Sequence, residues 1–389
     1  MTAADRVRAA LAGAERPVCA YVYDRSRLRE RADAVRAALP PRSALLYAVK
    51  ANAHPDVVAT LAAYLDGLEV ASGGELALAI AAGARRIVFG GPAKTDAALA
   101  AAVAADALVH AESAHELRRL AFAARQAGRR ATVGLRVNRP GVTLPGSHQM
   151  TGPPTPFGIE EAALDDAVAL ARELPELDLR GFHLHAVSNN VDAAAHARFV
   201  RDAIDWACAA ALRHGVALRD LNVGGGLGIS YTGGADLDLK VLRAGLAGAA
   251  RALPDGAELV VEPGRLLAAD AGWYAAEVLD LKRTHGRWFA VLRGGTHHFR
   301  LPAAWGYSHP FTVLPSDEWR YPFERPEVHD VEVDAVGELC TTRDVLTRGQ
   351  RVDRLRVGDV LLFARTGAYG WDISHHEFLH HPHPQMFVL

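Results

Sequence analysis

The stretch Leu45-Leu46-Tyr47-Ala48-Val49-Lys50-Ala51-Asn52 runs through five apolar or aromatic residues and then turns polar at a lysine. A short apolar run bounded in this way reads as a buried strand whose last residues emerge from the core. Ala- and Leu-rich sequence of helical period follows, and then a second short apolar run, Gly67–Val70. The same alternation continues through Ile87–Phe89, Ala107–His110, Thr132–Val137, Leu179–His185, Asp220–Val223 and Glu258–Val261. With Leu45–Val49 this makes eight strand-then-helix units, the content of an α/β fold of the (β/α)8 TIM-barrel type, whose usual size is about 250 residues. A doubly wound sheet is the weaker alternative.

Outside residues 41–269 the pattern changes. Trp273–Leu281, Trp288–Leu292, Val328–Val336, Leu339–Thr342 and Asp359–Phe363 read as strands separated by Gly, Pro and charged turns, which predicts a C-terminal β-sandwich or β-barrel domain over 270–389. The N-terminal segment 1–40 contributes Val18–Tyr23 as an extra strand of that domain. One long irregular loop, Asn138–Pro156, is rich in Gly, Pro and Thr, a composition and length that mark functional loops.

The 389 residues carry 43 Lys and Arg against 45 Asp and Glu, a net charge of −2, with no basic stripe to follow a phosphate backbone, so nucleic acid is not an expected partner. Met1–Ala14 lacks an apolar signal core and the Ala-rich runs are too short to span a bilayer, so a cytoplasmic location and no membrane association are expected. Three widely spaced cysteines, Cys19, Cys208 and Cys340, fit neither a disulfide framework nor a cysteine zinc site. The His-rich stretch Ser374–His383 matches no zinc spacing, and no metal is expected.

A TIM barrel places its chemistry at the C-terminal ends of its strands. There the sequence supplies Lys50, Glu69, Arg136, His183, His185, Ser188, the turn Gly224-Gly225-Gly226, and Glu262-Pro263-Gly264-Arg265. A lysine leaving an apolar strand is expected to be partly desolvated and ready to attack a carbonyl. Glycine-exposed backbone N–H groups beside Arg265 suit an anion, and Glu262 suits a ring nitrogen whose proton it holds. Together these residues describe a site for pyridoxal 5′-phosphate, PLP.

Six ordered motifs, Tyr47-Ala48-Val49-Lys50-Ala51-Asn52, His185-x-x-Ser188, Gly224-Gly225-Gly226, Glu262-Pro263-Gly264-Arg265, Cys340-Thr341-Thr342-Arg343-Asp344 and Gly367-Ala368-Tyr369, resemble those of the alanine-racemase-fold PLP-dependent decarboxylases of the ornithine and diaminopimelate type. The resemblance implies a carboxy-lyase in which Lys50 binds PLP covalently, Glu262 bonds the pyridine nitrogen and His185 stacks on the ring. It implies that Gly225, Gly226, Arg265, Ser188 and Tyr369 hold the phosphate and that Gly264 belongs to the cofactor site, with Glu69 near the lysine and Arg136 near the cofactor. It further implies a homodimer with shared active sites, Cys340 and Asp344 reaching into the partner's site and Cys340 acting in catalysis.

The substrate end departs from the common pattern. Both decarboxylase types have an acidic residue directly after the motif cysteine to read a distal ammonium, and here Thr341 stands in that place. Arg300 and His297, in Arg293-Gly294-Gly295-Thr296-His297-His298-Phe299-Arg300, offer donors for carboxylates instead. This segment, with Trp305–Phe311, resembles the siderophore-biosynthesis branch, whose members decarboxylate citryl-conjugated diaminopropionate or similar conjugates. The expected substrate is an L-amino-acid centre with a polycarboxylate tail. The alternatives are a diaminopimelate or other diamino-acid decarboxylase, then a racemase, then a non-catalytic PLP-binding regulator. A hydrolase pairing Glu69 with Glu262 leaves Lys50 and the glycine turn without a use.

Overall fold

The computed structural model describes residues 3–389. Eight parallel strands form a closed barrel: Ser43–Ala48, Gly67–Val70, Ile87–Phe89, Leu108–Ala111, Ala131–Asn138, Leu177–His183, Asp220–Asn222 and Glu258–Val261. Each pairs with the next, and Leu259 opposite Ser43 closes the ring. The first strand is buried over Ala44–Ala48, and Ala44, Leu46, Val88, Leu108 and Val260 form one apolar cluster within the barrel. Such near-continuous apolar strands are what burial on both faces requires.

Helices start where a short polar side chain follows the strand. Ser72, Thr95 and Ser113 each accept the backbone N–H three residues on, from Glu75, Ala98 and Glu116, and Asp192 caps the long helix Ala193–His214. Each such cap satisfies a donor that the first helical turn leaves free, typically stabilising by about 1 kcal/mol.

Eight of the remaining strands form one connected mixed sheet. Its long strand Gly272–Thr284 pairs antiparallel with Val360–Ala364, with Arg287–Leu292, and along Gly272–Ala276 with Cys19–Tyr23. Gln385–Val388 lies parallel to Cys19–Tyr23, so both chain ends are sewn into this sheet. Val18, Ala20, Val22, Trp273, Ala275, Val360 and Leu362 form its main apolar cluster with Val7 of the helix Ala3–Leu11. The chain divides into two compact units: a β unit of the N-terminal residues to Leu28 with Tyr231–Gly234 and Ala268–Leu389, and a barrel unit of Arg29–Ser230 with Ala235–Leu267.

Two expectations fail locally. Leu339–Thr342 is a turn, because its backbone N–H at Leu339 is drawn onto the buried Asp344 carboxylate at 2.9 Å, and the strand follows it, at Val345–Arg356. The sixth barrel strand is Leu177–His183, two residues earlier than its apolar run suggests, which leaves His185 beyond the strand end. The loop after Asn138 is also less open than its composition implies. His148 and Gln149 pair with Ser188 and Val187, and the Asn138 side chain accepts from Thr151 Oγ1 and from the Gly152 N–H.

Candidate active site

Lys50 sits in a short 3-10 turn, Val49–Ala51, directly after the first barrel strand. Its Nζ lies 2.6 Å from Oε2 of Glu69, which is buried near the end of the neighbouring strand. The expectation of a desolvated amine is corrected here: the Lys50 side chain is 43% exposed and held by this ion pair. Gly264 packs against Ala51 and Ala48, where a Cβ would come within 2.7 Å of the Ala51 side chain, so the Glu262–Arg265 turn presses against the lysine turn.

At the ends of Glu258–Val261 and Asp220–Asn222, the strands that follow Ser43–Ala48 round the barrel on its other side, the Asn222 side chain ties two motifs together. Its Nδ2 donates to Glu262 Oε1, its Oδ1 accepts the Gly224 N–H at 2.8 Å, and the Glu262 N–H donates to the Gly224 carbonyl at 2.8 Å. Gly225 N–H donates to His185 Nδ1 at 3.2 Å. Side chains are excluded from this turn: Gly224 has φ +68° and a Cβ there would lie 2.3 Å from His185 Nδ1, while one at Gly226, φ +88°, would lie 2.3 Å from the Val187 carbonyl. The result is a backbone cradle beside a half-buried imidazole.

Burial pushes the Glu262 carboxyl up to about 8, reinforced by the Glu69 charge and opposed by Lys50, Asn222 and Arg136. Burial, with Arg136 and Lys50 close by, holds the His185 imidazole well below its usual range, so its ring is neutral. Arg136 is buried, 2.9 Å from Glu112, and covers the Phe157 ring at 4.6 Å. Glu112 also accepts the Gly158 N–H at 2.8 Å, which fixes the far end of the long loop. Behind it Lys94, buried, meets Glu116 at 2.8 Å and the His110 carbonyl at 2.8 Å. Arg265 is buried at the start of the helix Arg265–Ala268. Ser188 is half-buried, and its carbonyl accepts the Ser147 N–H at 2.8 Å.

These residues of the barrel unit fit PLP. An amine, a glycine cradle no Cβ could share, a flat neutral imidazole and a buried carboxyl group are the donor set that an anionic, ring-nitrogen-bearing aldehyde needs. Sequence reasoning brought Lys50, Glu69, His185, Gly225, Gly226, Glu262, Gly264 and Arg265 to this one face. It missed Asn222, Glu112, Lys94, Glu116 and His110, although Asn222 stands two positions before the glycine turn and Glu112 directly follows a strand.

In the β unit, a cavity of about 770 Å³ is lined by Arg300, Arg343, Arg348, Thr341, Ser308 and His375 among apolar neighbours, with no carboxylate in its lining. None of the three guanidinium groups makes an ion pair or side-chain hydrogen bond with a described residue. Two expected substrate residues are placed elsewhere. His297 is fully buried, its Nε2 3.4 Å from Glu338 and its ring 3.8 Å from His298. Asp344 is buried and spends its oxygens on the N–H groups of Thr296 and Leu339, at 2.6 and 2.9 Å, so it fixes the loops that carry the cavity rather than lining it. Cys340 is exposed, and Tyr369 is half-buried with φ +55°. In the His-rich tail, His376 stacks on Trp371 at 3.4 Å and His375 lines the cavity. Among the described residues no group of three His, Cys, Asp or Glu side chains is placed to hold a metal, and no helix is long and apolar enough to cross a membrane.

Comparison with known proteins agrees with this chemistry. Residues 25–269 match the family described as pyridoxal-dependent decarboxylase, pyridoxal binding domain. The 2-[(L-alanin-3-ylcarbamoyl)methyl]-2-hydroxybutanedioate decarboxylase of Staphylococcus aureus is 39% identical over 378 residues, covering 96% of this chain and 94% of that protein. The diaminopimelate decarboxylase of Aquifex aeolicus is 31% identical, covering 92% of this chain and 83% of that protein. Among solved structures, diaminopimelate decarboxylase from Methanocaldococcus jannaschii in complex with L-lysine superposes with a TM-score of 0.85 at 25% identity, over 97% of this chain and 88% of that one. With the lysine turn, the glycine cradle and the buried Glu262 on one barrel face, these matches place the chain in the family of PLP-dependent amino-acid decarboxylases.

Proposed function

We propose that the protein decarboxylates an L-amino-acid centre whose side chain ends in a polycarboxylate, such as citryl-L-2,3-diaminopropionate, a siderophore precursor. The observation that carries this reading is the β-unit cavity, with three guanidinium groups that are unpaired among the described residues and no carboxylate in its lining. Guanidinium groups bind carboxylates through paired, charge-assisted hydrogen bonds, and a cavity with no acid in its lining has no negative charge to offer a distal ammonium. The same feature weighs against a diamino-acid substrate, although diaminopimelate decarboxylases are among the relatives. The name of the Staphylococcus aureus relative describes an alanine joined through an amide to a hydroxydicarboxylate, the substrate type this cavity suits.

Bound PLP supplies the electron sink for the pair released as the substrate carboxylate leaves. Lys50 would hold it covalently, and Glu69, 2.6 Å away, keeps that side chain aimed from the strand end. Gly225, Gly226, Gly264, Arg265 and Ser188 would hold its phosphate end. Glu262 would face its ring nitrogen, oriented by Asn222, and His185 would support its face. Arg136, locked on Glu112, keeps a permanent positive charge beside them. Cys340, an exposed thiol on the turn before Val345–Arg356, would return a proton to the substrate α-carbon in the partner's site of a homodimer, in the cytoplasm. Arg300→Ala tests the tail assignment: kcat/KM for the citryl conjugate should fall about 10-fold or more, the scale of one lost charge-assisted bond. An unchanged kcat/KM contradicts it.

A further inference from the structure

His183 ends the sixth barrel strand, is buried, and among the described residues has no hydrogen-bond partner at either ring nitrogen. A buried polar group without a partner is uncommon and is found where a ligand or a reaction completes it. Its Nε2 lies 3.8 Å from Glu262 Oε2, too far for a hydrogen bond and close enough for a small ring movement to make one. The other Glu262 oxygen is already taken by Asn222. His110 lies stacked against one face of the ring, at 4.2 Å and 25°, and Gly134 leaves it that place, since a Cβ there would come within 3.0 Å of His110 Cδ2.

We propose that His183 is a positioning residue for Glu262, donating its Nε2 proton to Glu262 Oε2 in the PLP-loaded enzyme so that the shared proton stays on the cofactor's ring nitrogen. Glu262 and a ring nitrogen share one proton, and it sits on whichever is the stronger base. Burial and the Glu69 charge make Glu262 a strong base, while Lys50, Arg136 and Asn222 oppose them. A second hydrogen-bond donor on the carboxylate weakens it as a base and leaves the ring nitrogen protonated. His183 can only be that donor as a neutral Nε2–H imidazole. Burial, with His110, Arg136, His185 and Lys50 around it, keeps it neutral, and its free Nδ1 needs no proton for another partner. The inference depends on PLP as cofactor and is independent of the substrate.

Two measurements on holoenzyme test it. In histidine-15N-labelled wild type, with the His183 signal assigned by its loss in His183→Gln, the proton should be on Nε2; a proton on Nδ1 overturns the proposal without any functional variant. In enzyme loaded with ring-15N-labelled PLP, the ring nitrogen resonance should move toward the unprotonated position in His183→Leu and stay near the wild-type position in His183→Gln, whose amide can still donate. An unmoved resonance in folded His183→Leu, or equal displacement in both variants, overturns it, because loss of packing alone would not depend on the donor.

Discussion

At the barrel strand ends the charged side chains are matched: Arg136 with Glu112, Lys94 with Glu116, Lys50 with Glu69. Around the β-unit cavity Arg300, Arg343 and Arg348 are exposed, and among the described residues they have no such partner. Buried ions need built-in partners because their desolvation is costly, whereas exposed guanidinium groups can wait in water for a ligand. The contrast separates two tasks. The barrel fixes a constant chemistry on a preorganised set of groups, and the β unit offers charge that only a substrate balances.

The largest expected effect lies on the barrel side. Lys50→Ala should remove turnover and the borohydride-reducible PLP adduct together; an adduct persisting at another residue would break the assignment. Next, Glu262→Gln should lower kcat by roughly 100-fold, the scale of a lost acid–base partner. Arg343→Ala and Arg348→Ala should each raise KM for a polycarboxylate-tailed substrate about 10-fold with kcat nearly unchanged, since removing binding shared by ground and transition states acts on KM. If instead kcat fell and KM held, the division between the two regions would be wrong. Asp344→Ala, which orphans two buried N–H groups, should cost about 2 kcal/mol or more of stability, read as a lower melting temperature, without that selective KM signature.

A pH experiment sharpens the same contrast. In protein without PLP, Glu262 keeps its proton up to about 8, against the ordinary 4.5. The folded state therefore binds an extra proton across that window, and this contribution to stability is lost as pH rises through it. Glu262→Gln has no proton to lose, so its melting temperature should gain on the wild type between pH 5 and pH 8. A constant difference would show that the carboxyl is not held neutral by its burial.

Much of the barrel chemistry was legible because each strand announces itself as an apolar run and the residue that follows is by geometry at the mouth. Lys50, the Gly224–Gly226 turn and Glu262 follow that rule, and Glu69 is the next-to-last residue of its strand, Gly67–Val70. The matching partners were not legible, because Glu112 meets Arg136 only after Leu108–Ala111 and Ala131–Asn138 pair side by side. Desolvation of Lys50 was misjudged for the same reason: the carboxylate that meets it belongs to the next strand. In the β unit, Arg348 lies within the strand Val345–Arg356, which was not among the expected strands, between Thr347 opposite Ala335 and Gln350 opposite Val333. Arg343 was hidden between two motif residues whose roles drew attention first.

The most direct test of the account is carbon dioxide release by PLP-loaded protein given citryl-L-diaminopropionate, meso-diaminopimelate, L-ornithine and L-lysine separately. Release from the citryl conjugate, with little or none from the other three, is the predicted result. Release from diaminopimelate or a diamine, with the citryl conjugate inert, would contradict the reading of the arginine-lined cavity.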